Sequence, residues 1–144
     1  MENLSQIKGN QIFDERGSVR FINDFKFEGV KRFYQVENHD INFIRAWHGH
    51  KKEGKYVYVT QGVAVVAAIS FDGLDNKDIV PSKYVLSSNS PSVLWIPPNH
   101  FNGFKNLTNN TNIIFFSTST LEESKGDDIR LEYNYWDIWE PKYY

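Results

Sequence analysis

The 144-residue sequence contains no cysteine, which excludes disulfide scaffolds, thiolate nucleophiles and thiolate metal sites together. No window approaches the roughly 18 consecutive apolar residues of a membrane-spanning helix. The opening "MENLSQIKGN" lacks the apolar stretch of a secretory signal. Excess charge is missing too: 16 basic against 18 acidic residues leave a net charge of −2. That is too little to draw the whole protein onto nucleic acid or an anionic membrane. Sustained helical periodicity, internal repeats and a linker are also absent. The expectation is one soluble, cytoplasmic domain over residues 1–144, with neither nucleic acid nor membrane as a partner.

What is present is a series of short strands separated by turn signals. "SVRFIND" follows the charged turn "DERG", and "KRFYQV" alternates up to "ENHD". "KYVYVTQGVAVVAAISF" reads as two strands broken at Gln61–Gly62, a hairpin turn. "PSVLWIPPNHFNGFKNL" reads as strand, Pro-Pro corner, strand, since proline cannot donate to a sheet ladder. "TNIIFFSTST" is a buried strand, and "LEESKGDD" a short helix or long loop. The aromatic tail "IRLEYNYWDIWEPKYY", with Trp136, Trp139, Tyr143 and Tyr144, is expected to fold back on the body or to form a dimer seam, with stacking on a sugar or base as the alternative. The pattern predicts an all-β sandwich or closed barrel.

The stretch "RAWHGHKKEGKYVYV" concentrates the chemistry. His48 and His50 are two apart, so on a strand they share a face. Parity alone aims Arg45 or His48 inward, and both only with a bulge. An H-x-H pair followed by Glu53 is how the cupin fold, a small jelly roll, builds half of a metal site. Cupins add a later P-x-G-x-x-H-x-x-x-N, whose marked positions are Pro97, Asn99, Asn102 and Asn106 here. The last ligand is therefore an amide, with His100 two residues earlier. Lys51, Lys52 and Lys55 crowd Glu53, and like-signed cations oppose a divalent ion. The reading is acid–base chemistry without a metal or other cofactor.

"DERGSVRF", "RAWHGHKKEGKYVYV", "WIPPNHFNGFKNL" and "DDIRLEYNYWDIWE", in that order, resemble the dTDP-4-dehydrorhamnose 3,5-epimerases. The resemblance runs from about Asp14 to Glu140. It implies an all-β, cupin-type jelly-roll barrel, usually a homodimer with shared strands, acting without metal on a nucleotide-diphosphate sugar carrying a 4-keto-6-deoxy hexose. The setting implied is deoxysugar synthesis for surface polysaccharides such as lipopolysaccharide. By the same resemblance His48 is the base, Lys55 holds the enolate oxygen, and Arg16 and Arg45 grip the diphosphate. Tyr34 and Asn102 join the substrate-binding set. Glu132 falls at the position of the acid that partners the base, with Asp127 and Asp128 as rivals.

These residue types suit the reaction. Removing a proton beside a ketone needs a base that is neutral near ambient pH, which histidine supplies. The enolate needs a fixed donor at its oxygen, and diphosphate favours the planar two-point grip of arginine. One departure matters: the tyrosine with which the epimerases reprotonate the opposite face falls at Phe115. One of Tyr34, Tyr56, Tyr58 or Tyr133, or a water, has to replace it. "HGHK", "DERGSV" and "DDIRLEY" also resemble the sugar 3,4-ketoisomerases, in which a second histidine such as His50 shares the proton transfer on one face. Two further alternatives stay open: a non-catalytic sugar-binding barrel and a metal-dependent isomerase of sugar phosphates.

Overall fold

The computed structural model describes residues 3–141. Its strands are β1 (Ser5–Lys8), β2 (Asn10–Asp14), β3 (Gly17–Phe21), β4 (Arg32–Glu37), β5 (Ile44–His50) and β6 (Lys55–Gln61). The series continues with β7 (Val63–Ser70), β8 (Ser82–Ser87), β9 (Ser92–Ile96), β10 (His100–Asn106), β11 (Asn112–Ser117) and β12 (Ile129–Arg130). A 3₁₀ turn at Phe71–Leu74 follows β7, and the single α-helix described, α1, is Leu121–Lys125. No helix among the described residues is long and apolar enough to cross a membrane.

Two five-stranded antiparallel sheets form the body, in the orders β1-β9-β6-β11-β4 and β12-β5-β10-β7-β8. Alternation along the strands sends one set of side chains between the sheets. Val57, Val59, Ala64, Val66, Leu86, Leu94, Phe104, Ile113 and Phe115 make that core. The opposite parity is also buried, which accounts for near-continuous apolar runs such as "VAVVAAI". Outside the first sheet, Tyr56, Val93 and Trp95 are covered by Ile22, Phe25 and Val30. Outside the second, Trp47, Ala67 and Phe101 are covered by Trp136, Ile138 and Trp139. The aromatic tail thus folds back as expected; Tyr143 and Tyr144 lie outside the described residues.

The punctuation behaves as the sequence implies. Gly62 sits at φ 81° in the β6–β7 turn, and a Cβ there would lie 2.4 Å from the Thr111 hydroxyl. At the Pro97–Pro98 corner, Asn99 takes φ 63° where the cupin pattern has glycine; asparagine tolerates the left-handed region better than most residues. Helix α1 opens on a capping box between Thr120 and Glu123.

The strand β1 and the hairpin β2–β3 are more elaborate than the single strand expected around "SVRFIND". The hairpin belongs to neither main sheet. It pairs Ile12 with Val19, yet leaves them 57% and 62% exposed, with Phe13 at 73%.

Candidate active site

A cavity of about 370 Å³ opens between the sheets, lined by side chains from β4, β5, β6, β10, β11, α1 and β12. His48 and His50 both reach it from β5, as their spacing requires. Arg45 reaches it as well. The β5–β10 register shows how: Asn102 pairs with His48 but Phe104 with Arg45, so between them two residues of β5, Ala46 and Trp47, oppose one of β10, Gly103. The bulge resets the parity and brings Arg45 and His48 to one wall.

The two imidazoles have different surroundings. His50 is 5% exposed. Its Nε2 lies 3.1 Å from Glu53 Oε2, and its Nδ1 lies 3.9 Å from Asp127 Oδ2. That Nδ1 is buried without a hydrogen-bond partner, so His50 presents no free, accessible nitrogen to a ligand. His48 is half-buried, and its imidazole makes no hydrogen bond among the described residues. Burial first, then the charges of Lys55 and Arg130, push its pKa down to about 4, against the opposing pull of Asp128. His48 is therefore neutral at physiological pH and able to accept a proton.

Lys55 enters from β6 on the facing sheet and is 7% exposed. Burial, then repulsion by Arg32, lowers its pKa, while Glu53 works in the opposite direction. Its Nζ stands 6.0 Å from the centre of the Phe115 ring. Asn102, 4% exposed, lines the cavity beside His48, its cross-strand partner in the same sheet. Tyr34 lines it from β4, with the Arg32 guanidinium 5.0 Å from its ring centre.

Behind this wall lies a buried polar cluster centred on Glu53. Its carboxylate takes Arg32 at 3.2 Å, the Ser124 hydroxyl at 3.0 Å and the Ser117 hydroxyl. The adjoining turn is fixed by Asp127, whose carboxylate accepts the backbone N–H groups of Lys51, Lys52 and Glu53. Burial would raise the Asp127 pKa, but those three donors outweigh it and hold the group below its ordinary range. Glu53 is thus committed to Arg32, His50 and two serines. Among the described residues no group of three or more His, Cys, Asp or Glu is arranged to hold a metal ion.

Two sequence-derived site residues lie elsewhere. Glu132 is exposed and does not line the cavity. Alternation would carry 128, 130 and 132 to one face, but β12 stops at Arg130. The chain then turns over the outer face, where Tyr133 O accepts the indole N–H groups of Trp47 and Trp139. Asp128, one of the rivals, lines the cavity and is the carboxylate whose charge acts on His48. Arg16 sits at the tip of the β2–β3 hairpin, 89% exposed and paired with Asp14 at 2.6 Å, away from the cavity of its own chain. His100 is also outside; its Nδ1 is 2.9 Å from Pro98 O.

Sequence reasoning missed Arg32, Ser124, Lys125 and Arg130, all of which line the cavity. The signal for Arg32 was available, because the parity that selects Tyr34 in "KRFYQV" also selects Arg32. The α1 residues carried none, since only the tertiary fold brings that helix to the cavity mouth.

The low His48 pKa gives a pH signature. The neutral ring is the active form of a base, and it is lost as the pH falls through about 4. The expected kcat/KM is therefore flat from about pH 8 to about pH 5 and declines below that. An acid limb near the ordinary histidine pKa would contradict the burial argument.

Comparison with known proteins identifies the family and the fold. The family model described as dTDP-4-dehydrorhamnose 3,5-epimerase matches residues 1–139. No curated protein sequence matches the chain. Among solved structures, it is similar to the 3'-monoepimerase ChmJ from Streptomyces bikiniensis in complex with dTDP (TM-score 0.76, 12% identity, 98% of this chain and 78% of that one). The rmlC epimerase of Mycobacterium tuberculosis superposes with a TM-score of 0.73 at 12% identity, over 89% and 68% of the two chains. The 3,4-ketoisomerase QdtA from Thermoanaerobacterium thermosaccharolyticum, as a variant in complex with TDP-4-keto-6-deoxyglucose, gives 0.71 at 22% identity, over 94% and 91%.

Proposed function

Because the chain belongs to the dTDP-4-dehydrorhamnose 3,5-epimerase family, a family of nucleotide-sugar isomerases, we propose that it epimerises a nucleotide-linked 4-keto-6-deoxy sugar through an enolate, with His48 as base. The observation that carries this reading is the pairing across one cavity of an unbonded, neutral imidazole with a buried lysine. His48 removes the proton beside the ketone. The C–H electron pair moves into the carbon–carbon bond, and the carbonyl oxygen becomes an enolate held by Lys55. Asp128 favours the imidazolium that results.

The cavity's charge fits the rest of the substrate. Arg32, Arg45, Lys55, Lys125 and Arg130 line it, with Asp128 as the opposing acid. Such a cationic excess suits a diphosphate, and arginines supply its two-point contacts. The neighbours solved with dTDP and with TDP-4-keto-6-deoxyglucose support the same ligand class here. Incubating the protein with dTDP-4-keto-6-deoxyglucose in deuterium oxide tests the reading. Deuterium should enter carbon 3 or 5, and a protein that binds dTDP without any wash-in is a sugar-binding module instead.

A second reading, 3,4-ketoisomerisation, is favoured by one observation: position 115, where the resembled epimerases carry a tyrosine, is a buried phenylalanine. A ketoisomerase moves its protons on one face and needs no donor opposite. Product analysis separates the two, because only the isomerase relocates the ketone to carbon 3.

We also infer that the protein works in the cytoplasm, where a chain without cysteine forgoes nothing, and that it is a homodimer formed through the β2–β3 hairpin. An isolated two-stranded hairpin is marginal in water, and this one exposes Ile12, Phe13 and Val19 together. A second copy would cover them and could receive Arg16 from the hairpin tip, restoring its expected role at the diphosphate. Light scattering on the eluting protein should give twice the chain mass, and Phe13→Glu should halve it. A monomeric native protein would remove this part of the proposal.

A further inference from the structure

We propose that Tyr34 is the proton donor of the epimerisation, performing from the neighbouring strand the step that Phe115 cannot; the inference rests on the enolate reading above. Phe115 forms part of the cavity wall and is 1% exposed. Its direct partner in the β4–β11 register is Tyr34. The two rings stack, with centroids 5.2 Å apart and planes 12° from parallel. Tyr34 thus lines the same cavity wall as Phe115 from one strand over, its ring centre 5.2 Å from the ring that lacks the hydroxyl.

The other tyrosines are placed elsewhere. Tyr56 faces the outside of its sheet, 4.4 Å from the Trp95 ring centre. Tyr58 belongs to the same outer cluster. Tyr133 is 48% exposed, beyond the end of β12. Among the described residues, Tyr34 is the only tyrosine lining the cavity.

The sheets supply the stereochemistry. Tyr34 stands on β4 in one sheet and His48 on β5 in the other. The base and the donor thus approach a ligand from opposing walls, as inversion requires. Tyr34 is also kept in its acid form: burial first, then the Glu53 charge, pushes its pKa well above the ordinary phenol value. A carbon acid beside a ketone is weaker still, so transfer from phenol to enolate carbon runs downhill.

The step balances. His48 takes the proton from one face and leaves an enolate whose oxygen Lys55 holds. The enolate π pair then takes the Tyr34 proton on the opposite face, forming the new C–H bond as the C=O reforms. The phenolate recovers a proton from solvent, and the imidazolium returns its own.

The test uses Tyr34→Phe with dTDP-4-keto-6-deoxyglucose in deuterium oxide. Epimer formation is expected to drop about 100-fold or more. Wash-in with retained configuration, which needs only the base, should remain measurable, and the melting temperature should stay near wild type. Adding Phe115→Tyr returns a hydroxyl to the stacked neighbour and should recover part of the lost epimer. Wild-type epimer yield from Tyr34→Phe would overturn the assignment and leave water as the donor. A native protein that makes 3-keto product and no epimer would also overturn it, while sparing the enolate. A native protein with no wash-in would bring down the enolate reading first and this one with it.

Discussion

Replacing His48 with alanine should reduce deuterium wash-in into dTDP-4-keto-6-deoxyglucose by about a thousandfold or more, within the range a positioned general base contributes. Binding of dTDP should change little, because the cavity cations Arg32, Arg45, Lys125 and Arg130 are untouched. The size of the effect follows from the contrast between the two histidines. His50 is held by Glu53 at 3.1 Å, and its other nitrogen is shut away from solvent and ligand alike. The His48 imidazole has no hydrogen-bond partner among the described residues and is neutral at working pH. No second free imidazole lines the cavity to take over. His50→Ala is the informative control: it should disturb the wall and lower the rate while leaving measurable exchange. If His50→Ala abolished wash-in and His48→Ala did not, the assignment of the base would be reversed.

The second large effect is on stability. Glu53→Ala should destabilise the fold by about 3–5 kcal/mol, the cost of stranding the partner of a buried ion pair. For a domain of this size that lowers the melting temperature by roughly 6–20 °C. The Glu53 side chain is fully buried. It receives Arg32, His50, Ser117 and Ser124, so alanine strips four partners at once. It also stands in the turn whose N–H groups Asp127 holds, between β5 and β6. Glu53→Gln keeps the volume and one acceptor oxygen but loses the charge that faces Arg32, so it should fall between the two. Differential scanning calorimetry of the three proteins would decide. An alanine variant as stable as wild type would mean that Arg32 and His50 find other partners, and that the cluster does not hold the wall in place.

Much of this molecule was legible before any coordinates. Period-two alternation fixed which residues of a strand share a face, because neighbouring side chains on a strand must point to opposite sides. Gly62 and the Pro97–Pro98 pair marked the turns for reasons of backbone sterics alone. Those two sources of information gave the all-β barrel. The one-face placement of His48 and His50 followed from the same parity, and the ordered motifs named the family.

The tertiary structure decided what parity could not. The two-against-one bulge on β5 let Arg45 join His48, and a bulge leaves no mark in composition. The end of β12 at Arg130 sent Glu132 to the surface and left Asp128 lining the cavity with His48, because alternation holds only while the strand lasts. Cross-strand register set Tyr34 against Phe115, a pairing between positions 81 residues apart that no local pattern encodes. Sequence specified the kinds of groups and their faces, since these depend on neighbours along the chain. Which groups meet across a cavity depends on distant strands, and only the packed sheets settle that.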